Sequence, residues 1–152
     1  MSGILCAIRG GPSSRPTIAT SIQLAHETGE IIYFLYVVNL DFLTHSSSSK
    51  TNHISQELHD MGEFILLSAQ EQASEAGAQA EGVIREGRVV EEIISYCDDQ
   101  NPLYVILGQP EEEGEDNLLS LERLQIFADR IKEACHAQVI FSSEKGIPLE
   151  ED

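Results

Sequence analysis

The chain has no tryptophan, only 9 Lys and Arg against 26 Asp and Glu, and three cysteines in 152 residues. Each scarcity narrows what the protein does. A chain of net charge −17 with so few cations cannot neutralise a row of phosphates, which argues against nucleic-acid binding. The same charge argues against direct docking on an anionic membrane surface. No segment reaches the ~18–20 consecutive apolar residues of a transmembrane helix. The N-terminal stretch MSGILCAIRGG has neither the basic lead nor the long apolar run of a signal peptide, so the expected location is the cytoplasm. Cys6, Cys97 and Cys135 are far apart and form no CxxC pair, so buried reduced thiols are expected rather than a redox or metal role.

Catalytic signatures are equally scarce. GxSxG and HExxH are absent, and no Cys–His arrangement stands at a recognisable position. His53 and His59 are six residues apart, on different faces of any helix, so they do not make the i, i+4 pair of a metal site. His45 lies in the preceding connection, while His26 and His136 stand singly near helix ends, where an imidazolium suits the dipole. Asp98 and Asp99 sit at a helix end before a turn, where exposed carboxylates are common. No catalytic residue and no metal ligand is assigned.

What is present is an alternation of short apolar runs with helical patterns. With 41% hydrophobic residues, 152 residues suit a single domain with a proper core. Ile4–Ile8 reads as a buried strand closed by Gly10-Gly11-Pro12, and Ser13 or Ser14 can cap a helix carrying Ile18, Ile22 and Ala25 up to Gly29. Ile31–Val38 is apolar throughout and reads as a central strand. Residues 41–52, with Ser46–Ser49, have no periodicity and read as a mobile linker. A helix follows from about Ile54 to Ala76, with Ile54, Leu58, Met61, Ile65, Ala69, Ala73 and Ala76 as its inward stripe. Val83-Ile84 is a short strand. Gly87 then introduces a helix with Val90, Ile93, Ile94 and Cys97 inward, which ends at Asn101-Pro102. Leu103–Leu107 is another fully apolar strand. After an acidic loop comes a helix with Leu121, Leu124, Ala128, Ile131 and Cys135, and Val139–Phe141 is the last strand.

Strands separated by helices require parallel pairing with right-handed crossovers, which gives an α/β fold: one open parallel sheet with helices on both faces. Ligands of such folds bind outside the carboxyl ends of the strands, where the strand order reverses. The loops after Ile8, Val38 and Leu107 are therefore the ones to inspect.

The pieces ILCAI, IIYFLYVVN, the long helix followed by VIREG, VVEEIISYCDDQNPLYVILG and AQVIF stand in order along nearly the whole chain. Together they resemble the universal stress protein family. The resemblance implies a five-stranded sheet of order 3-2-1-4-5, an adenine nucleotide alpha hydrolase-like fold, and usually a homodimer. Nucleotide-binding members carry an Asp at the end of the first strand, where this chain has Arg9. They also carry G-x2-G-x9-G-[S/T] after the fourth strand. Here only its first glycine is present, as Gly108; the others fall on Glu111 and Leu121, followed by Glu122. Those glycines let backbone N–H groups wrap phosphates, and side chains in their place remove the cradle.

The loop chemistry points the same way. Residues 77–152 hold 18 acids against 6 bases, and residues 111–116 read EEEGED, five carboxylates in six positions. Two like charges ~6–7 Å apart cost about 0.6 kcal/mol even in water, and a triphosphate would meet several such pairs. Carboxylates of this kind can hold Mg²⁺ or Ca²⁺, but the spacing matches no metal loop, so a solvated acidic loop is expected.

Arg9, ahead of Gly10 and a helix N-terminus, can contact an anion or a nucleotide phosphate; an ion pair with nearby acids is the other reading. The expected function is a regulatory or interaction module that does not bind ATP in the family's usual way, with no cofactor. The alternative is an ATP or AMP sensor, or a weak ATPase, using Arg9, Gly10, the backbone near Val37 and Gly108. The last strand, with Val139, Ile140 and Phe141 on an exposed edge, is the expected homodimer contact. A protein partner, including a membrane transporter, is a further option on which the sequence is silent.

Overall fold

The computed structural model describes residues 3–10, 14–39, 48–108, 115–142 and 149–151, with side chains at 48–52, 115–121 and 149–151 outside that description. Strands form where the sequence is apolar at nearly every position: β1 (Ile4–Ala7), β2 (Ile32–Val38) and β4 (Tyr104–Gly108). With β3 (Ala80–Glu86) and β5 (Gln138–Ser142) they make a parallel sheet of order β3-β2-β1-β4-β5. Ile4 sits between Ile32 on one side and Tyr104 on the other, which places β1 at the centre of the sheet.

The helices between the strands are α1 (Arg15–Thr28), α2 (Ser48–Glu75), α3 (Val89–Gln100) and α4 (Glu115–Cys135). α1 has Pro16 in its first turn and stops at Gly29, whose φ of 78° is the left-handed cap that glycine adopts without strain. α3 ends on Asn101 in the same conformation, immediately before Pro102.

Alternate side chains of each strand feed two separate core layers. Leu5, Leu35, Val105, Leu107 and Val139 pack against Ile93 and Cys97 of α3 and Ala128 and Ile131 of α4. Ile4, Cys6, Ile32, Phe34 and Ile106 pack against Ile18 and Ala25 of α1 and Leu66, Ala69 and Ala73 of α2. This two-sided covering is why β1, β2 and β4 carry no polar face. Each large side chain buried in this way contributes about 1.5–3 kcal/mol.

Four expectations are corrected. α2 begins at Ser48 rather than near Ile54, because a polar first turn has no apolar stripe to announce it; residues 41–47, with His45, Ser46 and Ser47, lie outside the described residues. Within α2, Met61 is 53% exposed, and Gly62 and Leu66 face the sheet instead. A Cβ on Gly62 would come within 2.6 Å of Tyr36 and 2.9 Å of Ile84, so the helix lies too close to the sheet there for any side chain. In α3, Val90 is exposed and Tyr96 is buried.

The last correction concerns the sheet edge. A short strand β6 (Leu149–Glu151) runs antiparallel along β5, pairing Phe141 with Leu149 and Val139 with Glu151. Val139, Ile140 and Phe141 are therefore not on an exposed edge. Their outer backbone groups meet β6, and all three side chains are buried.

Candidate functional site

The chain leaves β1 for β2 on one side and, after β3, crosses back to β4 on the other. The strand order reverses between β1 and β4, and the crevice of an open parallel sheet forms at this point. A cavity of about 210 Å³ lies there, between the carboxyl ends of the strands and the helices α3 and α4. Its floor is Ala7 of β1, Leu35 and Val37 of β2, and Leu107 of β4. Its roof is Val89 and Ile93 of α3 with Leu124 and Phe127 of α4, and Ile8, Arg9 and Gly108 complete the wall. The volume is below the ~300–1,000 Å³ typical of small-molecule sites.

Three of the four candidate residues, Arg9, Val37 and Gly108, thus share one cavity. Gly10 does not. It borders a second hollow on the opposite face of the sheet, between α1 and α2, with Ser14, Ile18 and Ile65. Gly10 has φ 84°, and a Cβ on it would stand 2.6 Å from the Ile65 side chain, so the turn conformation and the packing of α2 both call for glycine.

The loop between β1 and α1 is tied by one hydroxyl. The backbone N–H groups of Arg9 and Gly10 both donate to Ser14 Oγ, at 3.2 and 3.0 Å, and Ser14 Oγ donates to the carbonyl of Gly10 at 3.3 Å. Ser14 is the N-cap residue of α1 by position, yet its side chain turns back to the loop and caps no helix amide. The amides of Arg9 and Gly10 are therefore already satisfied within the loop. The Arg9 side chain is exposed and forms no ion pair among the described residues.

Gly108 has a packing role of its own. A Cβ there would meet Thr17 Oγ1 at 3.0 Å, and that hydroxyl shares a 2.8 Å hydrogen bond with Ser142 Oγ. The buried Ser142 hydroxyl also donates to the Leu107 carbonyl at 3.5 Å. The end of β4 is thus fastened to α1 and β5. Beyond Gly108, Glu111–Gly114 lie outside the described residues. Glu115, Asp116, Leu121 and Glu122 belong to α4, so the last two occupy a helix interior.

Among the described residues, no side chain at the cavity pairs a nucleophile with a base. Cys6, Cys97 and Cys135 are buried and free. Burial pushes the Cys6 thiol up to about 12. The neighbouring Cys135 thiol of α4 first, and burial second, raise Cys97 far above an ordinary thiol, while Cys135 Sγ donates to the Ile131 carbonyl at 3.5 Å. Among the described residues no three His, Cys, Asp or Glu side chains are grouped to hold a metal, and no helix is long and apolar enough to cross a membrane. His53 pairs with Glu57 one turn on, and His59 with Glu86 at the end of β3. Asp99 reaches Arg85 at 3.8 Å, and Arg85 also meets Glu92 and lies over the Tyr96 ring, 5.3 Å from its centroid.

Sequence reasoning missed the roof of the cavity and the Ser14 tie. Val89 and Phe127 carry no spacing signal for a cavity, and Ser14 was expected only as a cap. Its place in sequence, four residues after Gly10, was the available hint.

The sequence profile described as the universal stress protein family matches residues 1–131. No curated protein sequence matches the chain. Among solved structures, the chain is similar to the universal stress protein UspA from Lactobacillus plantarum, with a TM-score of 0.72, 11% identity, and 93% of this chain and 97% of that one covered. It is similar to the universal stress protein from Archaeoglobus fulgidus in complex with dAMP, with a TM-score of 0.58, 13% identity, and 93% and 98% covered. It is also similar to a universal stress protein family protein from Arabidopsis thaliana with AMP bound, with a TM-score of 0.57, 14% identity, and 94% and 92% covered.

Proposed function

The chain belongs to the universal stress protein family, and we propose that within it this protein is a regulatory or interaction module that does not bind ATP in the family's usual manner. The observation that carries the proposal is the Ser14 tie. The hydroxyl takes up the backbone donor of Arg9 at the crevice wall and that of Gly10 behind it, so a phosphate group arriving at Arg9 finds a cation but no free N–H from this loop's start. The apolar roof of Val89, Ile93, Leu124 and Phe127 offers a triphosphate nothing to replace its water. The five acids of residues 111–116 add repulsion next to Gly108 in sequence.

Thermal unfolding with ATP, ADP, AMP and cyclic AMP, with and without Mg²⁺, tests the proposal. A ligand at about 100 times its Kd stabilises the native state by about 2.7 kcal/mol. For a chain of this size that raises Tm by roughly 5–10 °C. No shift beyond about 1 °C at millimolar ATP is expected, and a shift of several degrees overturns the proposal.

The second reading is a nucleotide sensor or weak ATPase with a modified crevice. It is favoured by the meeting of Arg9, Val37 and Gly108 at one cavity and by the dAMP and AMP held by the two relatives. A selective shift with AMP supports it. In either reading the protein works in the cytoplasm, where its three thiols stay reduced, and it touches neither nucleic acid nor membrane. It self-associates, as a homodimer, by a contact that leaves the β5–β6 pairing in place.

A further inference from the structure

We propose that the outward face of α2, from Glu57 to Glu71, docks a basic amphipathic helix of another protein. The inference rests on the interaction-module reading and names its partner by chemistry.

The side of α2 that faces away from the sheet carries three large apolar residues. Met61 is 53% exposed, Phe64 72% and Leu67 62%. They follow one another at intervals of three, so they form a continuous row across about two turns, some 9 Å of helix. Phe64 also borders the hollow between α1 and α2 that Ile18 and Ile65 line, which gives the row a recess beside it. Single exposed apolar residues are ordinary on a protein surface; a phenylalanine this bare, flanked on its own row by two more, is not.

Charge selects the occupant. Each residue of the row has an acid four positions before it: Glu57 before Met61, Asp60 before Phe64, Glu63 before Leu67. Glu71 stands four positions after Leu67. All four acids are exposed, and His53–Glu75 contains no Lys or Arg. An apolar row beside a row of carboxylates is the complement of a helix with one apolar face flanked by Lys or Arg. A second copy of this chain is a poor occupant. Face-to-face packing of two α2 helices would set Glu57, Asp60, Glu63 and Glu71 against the same set of acids on the twin helix, on chains that each carry −17. An acidic helix meets the same repulsion.

Fluorescence anisotropy with a labelled leucine–lysine peptide tests the proposal, its leucines on one helical face and its lysines on the other. The control peptide has glutamate in place of every lysine. The lysine peptide is expected to bind and the glutamate peptide not to bind. The double variant Phe64→Ser/Leu67→Ser is expected to weaken binding by about tenfold or more. So is the triple variant Glu57→Gln/Asp60→Asn/Glu63→Gln. Substituting Glu27 and Glu30, acids away from this face, is expected to change it less than about twofold. These positions are exposed, Glu30 in part, and circular dichroism melts check that each variant folds.

Equal binding by the Phe64/Leu67 variant, or equal loss with Glu27 and Glu30 replaced, overturns the proposal, because the attraction would then be that of overall charge. A dimer by sedimentation that Phe64→Ser/Leu67→Ser turns into a monomer also overturns it, in favour of a second copy. None of these outcomes depends on nucleotide. A Tm shift with ATP therefore removes the reading of the crevice and leaves this surface standing.

Discussion

Replacing Ser14 with alanine removes one oxygen that makes three hydrogen bonds. It accepts from the N–H groups of Arg9 and Gly10, and its proton goes to the Gly10 carbonyl. A hydroxyl has two acceptor positions and one proton, so its whole capacity is used. A neutral hydrogen bond contributes about 1 kcal/mol net, and a buried donor left unmet costs about 1–3 kcal/mol. Ser14 is only 6% exposed, but the loop it ties is half-buried and water reaches part of it. Ser14→Ala is therefore expected to cost about 2 kcal/mol in all. In a chain of this size that lowers Tm by roughly 4–8 °C, readable by calorimetry or by a shift of the urea midpoint at unchanged slope.

The same substitution frees two amides beside the Arg9 guanidinium, a geometry that attracts anions. Inorganic phosphate, compared at fixed ionic strength with chloride, is expected to raise the Tm of Ser14→Ala more than that of the parent. A variant melting within about 1 °C of the parent, with the same response to phosphate, refutes the tie. Loss of stability without any phosphate response keeps the structural half of the reasoning and removes the anion half.

Gly108→Ala places a methyl 3.0 Å from Thr17 Oγ1 and disturbs its bond to Ser142; about 1–2 kcal/mol is expected to be lost, and Thr17→Ala in the same chain should recover part of it in a double-mutant cycle. The Cys6 thiol, held up to about 12 by burial, is expected not to react with a disulfide reagent at pH 8 until the protein unfolds; a labelling rate equal to that of a small thiol would contradict this. Because the folded pKa lies above the unfolded one, Cys6 contributes stability that is complete below about pH 9 and lost as pH rises toward 12. Cys6→Ala should flatten that alkaline decline. Ile93→Ala, at a residue 2% exposed in the roof of the cavity, is expected to cost about 2–5 kcal/mol in chemical denaturation and to enlarge the cavity.

The central strands were legible because they leave no room for another reading. ILCAI, IIYFLYVV and LYVIL are apolar on both faces, and only a sheet covered on both sides buries such segments. Helix faces were legible where side chains do the packing and illegible where their absence does. Gly62 faces the sheet because nothing larger fits against Tyr36 and Ile84, and hydropathy gives glycine no vote, so the stripe was drawn through Met61. The exposed Met61 then joined Phe64 and Leu67 on the outer row that sequence reasoning did not see as a surface. β6 had no alternation to announce it: Leu149–Glu151 is one apolar residue and two acids, placed by backbone pairing to β5. The crevice followed from the fold rule alone, which located Arg9, Val37 and Gly108. The Ser14 tie did not follow, because it depends on where the Ser14 hydroxyl stands in space relative to the Arg9 and Gly10 amides.

The central claim is that the crevice at the ends of β1, β2 and β4 does not take ATP. The most direct measurement is a titration of the isotopically labelled protein with ATP and Mg²⁺, following the backbone amide resonances of Arg9, Val37 and Gly108, which line the crevice. Resonances that stay in place up to millimolar ATP are the expected result. Saturable movement of these three with a micromolar Kd would contradict it.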